Sequence, residues 1–495
     1  MRLTTAIVVA LALSAGIVAA TKAQDGEPAY VVRGRQTEAN QRALKERTVR
    51  FYNALVEALE RDAPDLLPNL EPPPAGASGY MILPRVLPDS QPGPPSKPHV
   101  VSYSWSWSDK LIARSTATLK GLEAELASIS AAGGNRAAYS TLVADYRKAV
   151  DNRRSIDADV DYNWLWQKQI AANRPLFDRL TAQLNVVVDR QARGEPITPQ
   201  AAPPLVGFEP PSFVSIDPPN GHEQVVRVSI YTDLDDPAVV ESLKSGIETR
   251  WQVRDGEDVF RLRLTVEVIP PERLYCRRAS AGRLAAPSCS PPAKGEHIDL
   301  AAHVARFPKD GAVLTTGAAS LQLVGGRAIV LSPHDVTPRV VAHEFGHILG
   351  FSDAYLRGYK DLGIDGFQIM EFVPDYTDIM AAPGTGSATP RHFRDLVAAK
   401  EIVTIMQSGL AALYARNDPV EAEARFRLVL EKNPAHYGAT LQLAKALDKA
   451  GRTDEALAWW NKMLGMADSA GDAATARMAR DRLARHLSPP QETGQ

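Results

Sequence analysis

Residues 340–353 read V-V-A-H-E-F-G-H-I-L-G-F-S-D, and the rest of the chain is best understood outward from them. They contain H-E-x-x-H-x-x-G-x-x-D as His343, Glu344, His347, Gly350 and Asp353. Side chains four apart share one face of a helix, so both imidazoles can reach a single ion. Glu344 follows His343 directly, which sets its carboxylate beside that ion without making it a necessary ligand. Two histidines leave a catalytic zinc site one protein ligand short. Gly350 tolerates the left-handed conformation that ends a helix and turns the chain. The residues after that turn would bring Asp353 round as third ligand. A bare H-E-x-x-H is equally compatible with a solvated helix face; the glycine and aspartate weigh against that.

The extended pattern resembles the metzincin clan of zinc endopeptidases. More narrowly it resembles the members whose third ligand is aspartate, the snapalysin-like enzymes. Most of the clan has a third histidine where Asp353 stands. The resemblance implies a tight methionine turn beneath the metal, and residues 376–384 (Y-T-D-I-M-A-A-P-G) lie suitably downstream. Met380 would then be a soft side chain packed under the histidines and not a ligand. The resemblance also implies one catalytic Zn2+ on His343, His347 and Asp353. Such an ion acidifies water and polarises the scissile carbonyl. Glu344 is expected to act as general base and then to protonate the leaving amine. Tyr376 is a candidate oxyanion stabiliser, although some metzincins place that tyrosine after the methionine and not before it. His334, Asp335 and His392 have no spacing that demands a metal and are expected as surface or capping residues.

Residues 1–23 carry Arg2, an apolar run from Thr4 to Ala20 and small residues that suit cleavage. They are expected to form a secretory signal peptide, with an uncleaved anchor as the alternative. No later stretch is expected to cross a membrane, so the mature chain is expected to be exported, to a periplasm or the exterior. The 495 residues leave room for about three domains. With 56 Lys+Arg against 58 Asp+Glu, nothing suggests a nucleic-acid partner. Cys276 and Cys289 lie in one polar loop and are expected to pair in an oxidising compartment, two free thiols being the alternative.

The expected architecture is multidomain. An α/β (α+β) metzincin-like zinc peptidase domain over residues 206–405 is flanked by a mostly helical region, 24–205, and an all-α module, 406–487, with a tail at 488–495. In the first region Leu44, Thr48, Phe51, Leu55 and Leu59 keep helical spacing, as do Leu119, Leu122, Leu126 and Ile129. Residues 64–98, rich in proline and glycine, are expected as an extended loop. Tyr103, Trp105 and Trp107 alternate with serine, which suggests a short extended segment; core or interdomain packing is the simpler role for these rings. Residues 197–220 read as a linker. Strands are expected at 225–231, 260–269, 312–316 and 328–332, with a helix at 237–251. Thr337 and Pro338 should open the motif helix, and Thr389 and Pro390 another one. Residues 355–374 are expected as a cleft-wall loop, its acids Asp361, Asp365 and Glu371 solvated rather than bound to calcium.

In the C-terminal module Ala422 and Phe426 recur 34 residues later as Ala456 and Trp460, and Asn417 as Gly451. This period resembles tetratricopeptide repeats, with a generic helical bundle as the alternative. The helix around 473–486 would act as a cap. Repeats of this kind present a surface to a peptide or protein partner.

The expected function is thus that of an exported zinc-dependent endopeptidase acting on a peptide or protein. The alternative is a non-catalytic interaction scaffold in which zinc only stabilises the central domain. Latency imposed by the N-terminal region is a third possibility. It could not use a cysteine switch, since no cysteine lies between Gln24 and Tyr275.

Overall fold

The structure, a computed structural model, describes residues 27–73, 79–89, 99–195, 210–275 and 290–487. The leader at 1–23, Cys276, Cys289 and the tail lie outside the described residues.

The N-terminal region is helical, as its apolar spacing suggests. Helix α1 (Ala29–Asp62) is followed by strand β1 (His99–Ser104), α2 (Trp105–Ala131), α3 (Arg136–Ala172) and α4 (Arg174–Ala192). Leu44, Phe51, Leu55 and Leu59 meet Leu119, Leu122, Leu126, Leu142 and Tyr146 in one core. The serine–aromatic alternation is extended only to Ser104. There the serine side chain accepts the Trp107 N–H (3.4 Å) and caps α2, so Trp105 starts a helix. Trp105 is fully buried against Trp164, and both rings fill the space that Gly34 leaves open.

The central domain is built on a mixed sheet. Its elements are β2 (Val214–Ile216), β3 (Glu223–Thr232), α5 (Pro237–Arg250), β4 (Gln252–Asp255), β5 (Asp258–Val268), the short α6 (Pro271–Tyr275) and α7 (Leu300–Val304), then β6 (Ala312–Thr316), β7 (Gln322–Val324), β8 (Ala328–Leu331) and α8 (Pro338–Leu349). The strand order is β4-β5-β3-β6-β8-β7, with β5, β3, β6 and β8 parallel and the two edges antiparallel. Part of the expected linker is β2, because V-S-I alternates and buries Val214 against β3. Asp236 caps α5, and Thr337 with Pro338 opens α8. Both helices pack on one core through Leu243, Ile247, Trp251, Val341, Phe345 and Ile348.

The proline-rich span departs from a plain loop at Pro64–Asn69, a 3-10 turn whose leading proline has no N–H to leave unpaired. Residues 79–89 turn at Tyr80–Met81, where Met81 has a φ of 58°, and run over the C-terminal ends of the parallel strands. Tyr80 donates its hydroxyl to Asp233 (2.9 Å), and the Met81 N–H reaches Thr316 Oγ1 (2.7 Å). Leu87 N–H bonds the Val336 carbonyl (2.8 Å) just before α8.

Residues 355–374 are no loop. They form the hairpin β9 (Leu356–Asp361) and β10 (Gly366–Phe372), and β1 pairs antiparallel along the outer side of β10. Ile170 and Phe177 close a small core with Tyr359, Phe367 and Ile369. The three acids are paired: Asp361 with Arg174, Asp365 with Arg33, Glu371 with Arg357. The N-terminal region thus supplies a strand to the segment that follows Asp353. A fragment lacking residues 24–205 is expected to aggregate on gel filtration, because it bares the β10 edge and this core. A monodisperse fragment with unchanged thermal midpoint would contradict that.

Helix α9 (Pro390–Leu410) continues through one wider π turn, Ala411–Ala415. Together they form the 26-residue helix Pro390–Ala415, the one among the described residues long and apolar enough to cross a membrane. The expectation that no such stretch exists needs this correction. Its apolarity has a packing cause: Phe393 and Leu396 belong to the sheet's core, while Ile402, Ala412 and Leu413 belong to the C-terminal core. The remaining helices are α10 (Pro419–Lys432), α11 (Tyr437–Lys449), α12 (Thr453–Ala470) and α13 (Ala473–Leu487). The 34-residue period equates α10 with α12 and the end of α9 with α11. Ala422 and Ala456, Phe426 and Trp460, and Leu413 and Leu447 are all buried. Asn417 (φ 56°) and Gly451 (φ 74°) make equivalent left-handed turns. The first unit therefore begins inside α9, and α13 covers the end of the second.

Candidate metal centre

Helix α8 carries His343 and His347 on one face, and Gly350 ends it at φ 104°, where a side chain would be strained. The chain then turns back and Asp353 returns to the helix. Asp353 Oδ1 lies 3.3 Å from Nε2 of both histidines. One ligand atom from each of the three residues falls within 4.8 Å of the others.

Each imidazole is oriented from behind. His343 Nδ1 faces the Ile379 carbonyl (2.8 Å) and His347 Nδ1 the Phe351 carbonyl (2.7 Å). A carbonyl can only accept, so both Nδ1 atoms carry the proton. Both Nε2 lone pairs are then free to point at one spot, the arrangement a metal-ligating histidine needs. Asp353 Oδ1 is buried and faces these two ring nitrogens at 3.3 Å. A buried carboxylate aimed with two imidazole nitrogens at one spot suits a cation, and a zinc ion fits this donor set of two nitrogens and one oxygen.

The turn at 376–384 lies beneath. The Asp378 side chain accepts the Met380 N–H (2.7 Å), and its carbonyl accepts from Ala381 (3.1 Å) and Ala382 (2.9 Å). The Met380 carbonyl in turn receives the Ala354 N–H (2.9 Å), tying the Asp353 loop to the turn. Met380 is buried directly against Gly346, where a Cβ would overlap its sulfur and approach the Trp251 ring to 3.0 Å. Gly346→Ala is therefore expected to destabilise by about 1–3 kcal/mol and to weaken zinc binding by tilting the helix. Thermal melts with and without zinc check it; an unchanged midpoint would contradict it.

Sequence reasoning missed several supports. Trp251 donates its indole N–H to the Ala342 carbonyl (2.8 Å) and stacks on Phe351. A lone tryptophan at a helix end gives no hint of this. His392 takes the expected capping role, accepting the Thr389 N–H (2.9 Å), and also reaches Asp378 (3.3 Å). His334 and Asp335 bind the N-terminal region through Asp161 (3.0 Å) and Arg85 (2.7 Å). Tyr376 lends its carbonyl to Thr385 (3.1 Å) within the turn. The tyrosine stacked on His343 is Tyr355 (centroids 6.5 Å apart, 24°), with the Arg357 guanidinium 4.9 Å from its ring.

The electrostatics follow from enclosure. Glu344 is ringed by protein yet keeps some solvent contact; burial raises its carboxyl, opposed by His343 and His347. Burial also works against charge on Asp353, but the hydrogen bonds and charges of both histidines prevail and hold it well below its ordinary value. Burial likewise opposes charge on His347, yet Asp353 outweighs it and pushes the imidazole up to about 9. A lowered acid stabilises the fold above its ordinary value of 3.8, and a raised histidine does so below 6.5. Both contributions are full between those values, and that of His347 is lost as pH climbs toward about 9. The chelated chain's thermal midpoint is thus expected to fall from pH 6.5 to 9. Zinc should abolish that fall by replacing the proton; a flat chelated profile would contradict the coupling.

Residues 413–478 match the family described as Tetratricopeptide repeat, which covers the end of α9 through the start of α13. Such repeats generally mediate protein–protein contacts. No curated protein and no solved structure matches the chain.

Proposed function

We propose that the chain is an exported zinc-dependent endopeptidase of metzincin type, with His343, His347 and Asp353 as the metal ligands. The observation that carries this reading is the convergence of two pre-oriented imidazole nitrogens and one buried carboxylate oxygen beside Glu344. A zinc ion held there supplies Lewis acidity to a water molecule and to the scissile carbonyl. Glu344 takes the proton from the attacking water at its carboxylate and returns it to the leaving amine nitrogen. Its raised affinity for protons suits both transfers. Among the described residues three protein groups converge, and a zinc ion held by them would keep a place for water, where a structural zinc site would close its shell.

The interaction-scaffold reading draws on the repeat match, since that module generally serves partner binding. The two are separated by incubating purified chain with casein, a chelator, and restored zinc. Chelator-sensitive cleavage regained with zinc supports the peptidase. Zinc bound without any cleavage favours the scaffold.

A further inference from the structure

Helix α3 turns two faces to different parts of the protein. Val150, Ile156 and Val160 enter the N-terminal core. On the opposite face Ala158, Asp161, Tyr162, Leu165 and Trp166 are all half-buried. Positions 158, 162 and 165 recur at helical spacing, so their side chains form one stripe. A stripe turned away from its own bundle is exposed unless something stands opposite it.

What stands opposite is the zinc helix with the two segments that flank it. Asp161 bonds His334 (3.0 Å), in the segment that joins β8 to α8. Arg85 ties the next residue, Asp335 (2.7 Å), to Asp151 at the start of the same part of α3 (2.8 Å). Trp166 receives the Arg357 guanidinium over its ring (4.7 Å), and that guanidinium lies 4.9 Å from the Tyr355 ring. Tyr355 in turn stacks on His343. Asp161 and Trp166 are about 7.5 Å apart along the helix axis. This short piece of α3 thus links the chain that enters α8 to the chain that leaves Asp353. Because β1 of the same region is a strand of the β9–β10 sheet, α3 is a fixed part of the cleft and not a detachable cover.

Tyr162 and Leu165 lie on the stripe between the two anchors. Tyr162 meets Tyr103 (5.0 Å) and Trp166 (6.0 Å) edge-on. Leu165 belongs to none of the hydrophobic cores among the described residues. The charges at the anchors are engaged, Asp161 by His334 and Arg357 by Glu371. A charged substrate side chain set between them would lose water without gaining either as a counter-ion, whereas an apolar one would lose nothing.

We propose that α3 is the wall of the substrate cleft beside the zinc site, and that Tyr162 and Leu165 select an extended peptide with an apolar side chain next to the scissile bond. The inference rests on the peptidase reading and assigns part of its specificity to a helix outside the central domain.

The probes are labelled ten-residue glycine–serine peptides that differ only in one central residue, leucine, lysine or glutamate. Affinity is read by fluorescence anisotropy on the zinc-loaded full chain carrying Glu344→Ala, and cleavage, as kcat/KM, on the chain with Glu344 intact. The leucine peptide is expected to exceed the other two by at least about tenfold in both readouts. Leu165→Glu should cut the leucine-to-lysine ratio by about tenfold or more while zinc content and thermal midpoint hold. Tyr162→Ala brings in no charge, guards against misfolding of the first variant, and should lower the ratio in the same direction. Equal affinities for the three peptides, or a ratio that neither variant moves, would overturn the proposal. A binding preference that follows the variants in a chain that cuts none of the peptides would uphold the α3 wall and remove the peptidase reading instead.

Discussion

Replacing Glu344 by alanine is expected to lower peptide cleavage by about 10²–10⁴-fold while one zinc per chain stays bound. The carboxylate follows His343 on α8 and is not among the three groups whose ligand atoms converge. Its removal therefore takes away the proton carrier and leaves the metal's donors in place. It also removes a half-buried acid whose protonation its enclosure favours, so the fold should not suffer. Casein cleavage and zinc content measured on one preparation decide the matter. Loss of cleavage together with zinc would assign Glu344 to the metal and not to the proton. Cleavage that persists undiminished would place the activity elsewhere.

Asp353→Ala carries the second large effect, and it falls on the metal. The carboxylate is the one anionic member of the cluster, and its Oδ1 approaches both Nε2 atoms. Without it two neutral imidazoles remain to hold a divalent ion, and zinc affinity should drop by more than the roughly 10–100-fold typical of losing an outer-shell partner. The substitution also frees His347 from the charge that raises its imidazole, so the pH-dependent stability of the chelated chain should flatten with it. Zinc content after dialysis against a weak chelator measures the first effect. Retention equal to that of the unaltered chain would show that Asp353 is not a ligand.

The local features of the site were legible because each rests on a short-range rule. A spacing of four put two histidines on one face, a glycine marked the left-handed end of α8, and Thr337-Pro338 marked its start. The repeat was legible by period, and the matched left-handed turns at Asn417 and Gly451 give that period a backbone basis. What escaped was set by partners far apart in sequence. The hairpin β9–β10 becomes a sheet by pairing with β1, more than 250 residues upstream, and nothing local to 355–374 announces that. Trp105 was misplaced because alternation with serine imitates a strand until one serine serves as a helix cap. Gly346 did carry a signal. A glycine inside a helix costs about 1 kcal/mol relative to alanine, and the close approach of Met380 and Trp251 is the reason it is there.

X-ray absorption at the zinc edge is the sharpest test of a zinc ion held by two imidazoles and one carboxylate. The first shell is expected to contain nitrogen and oxygen only, at about 2.0–2.2 Å, with two imidazole signatures and no sulfur. In Asp353→Ala the zinc signal should be lost or one light-atom scatterer should leave the shell. A sulfur-containing shell, or a spectrum that Asp353→Ala leaves unchanged, would contradict it.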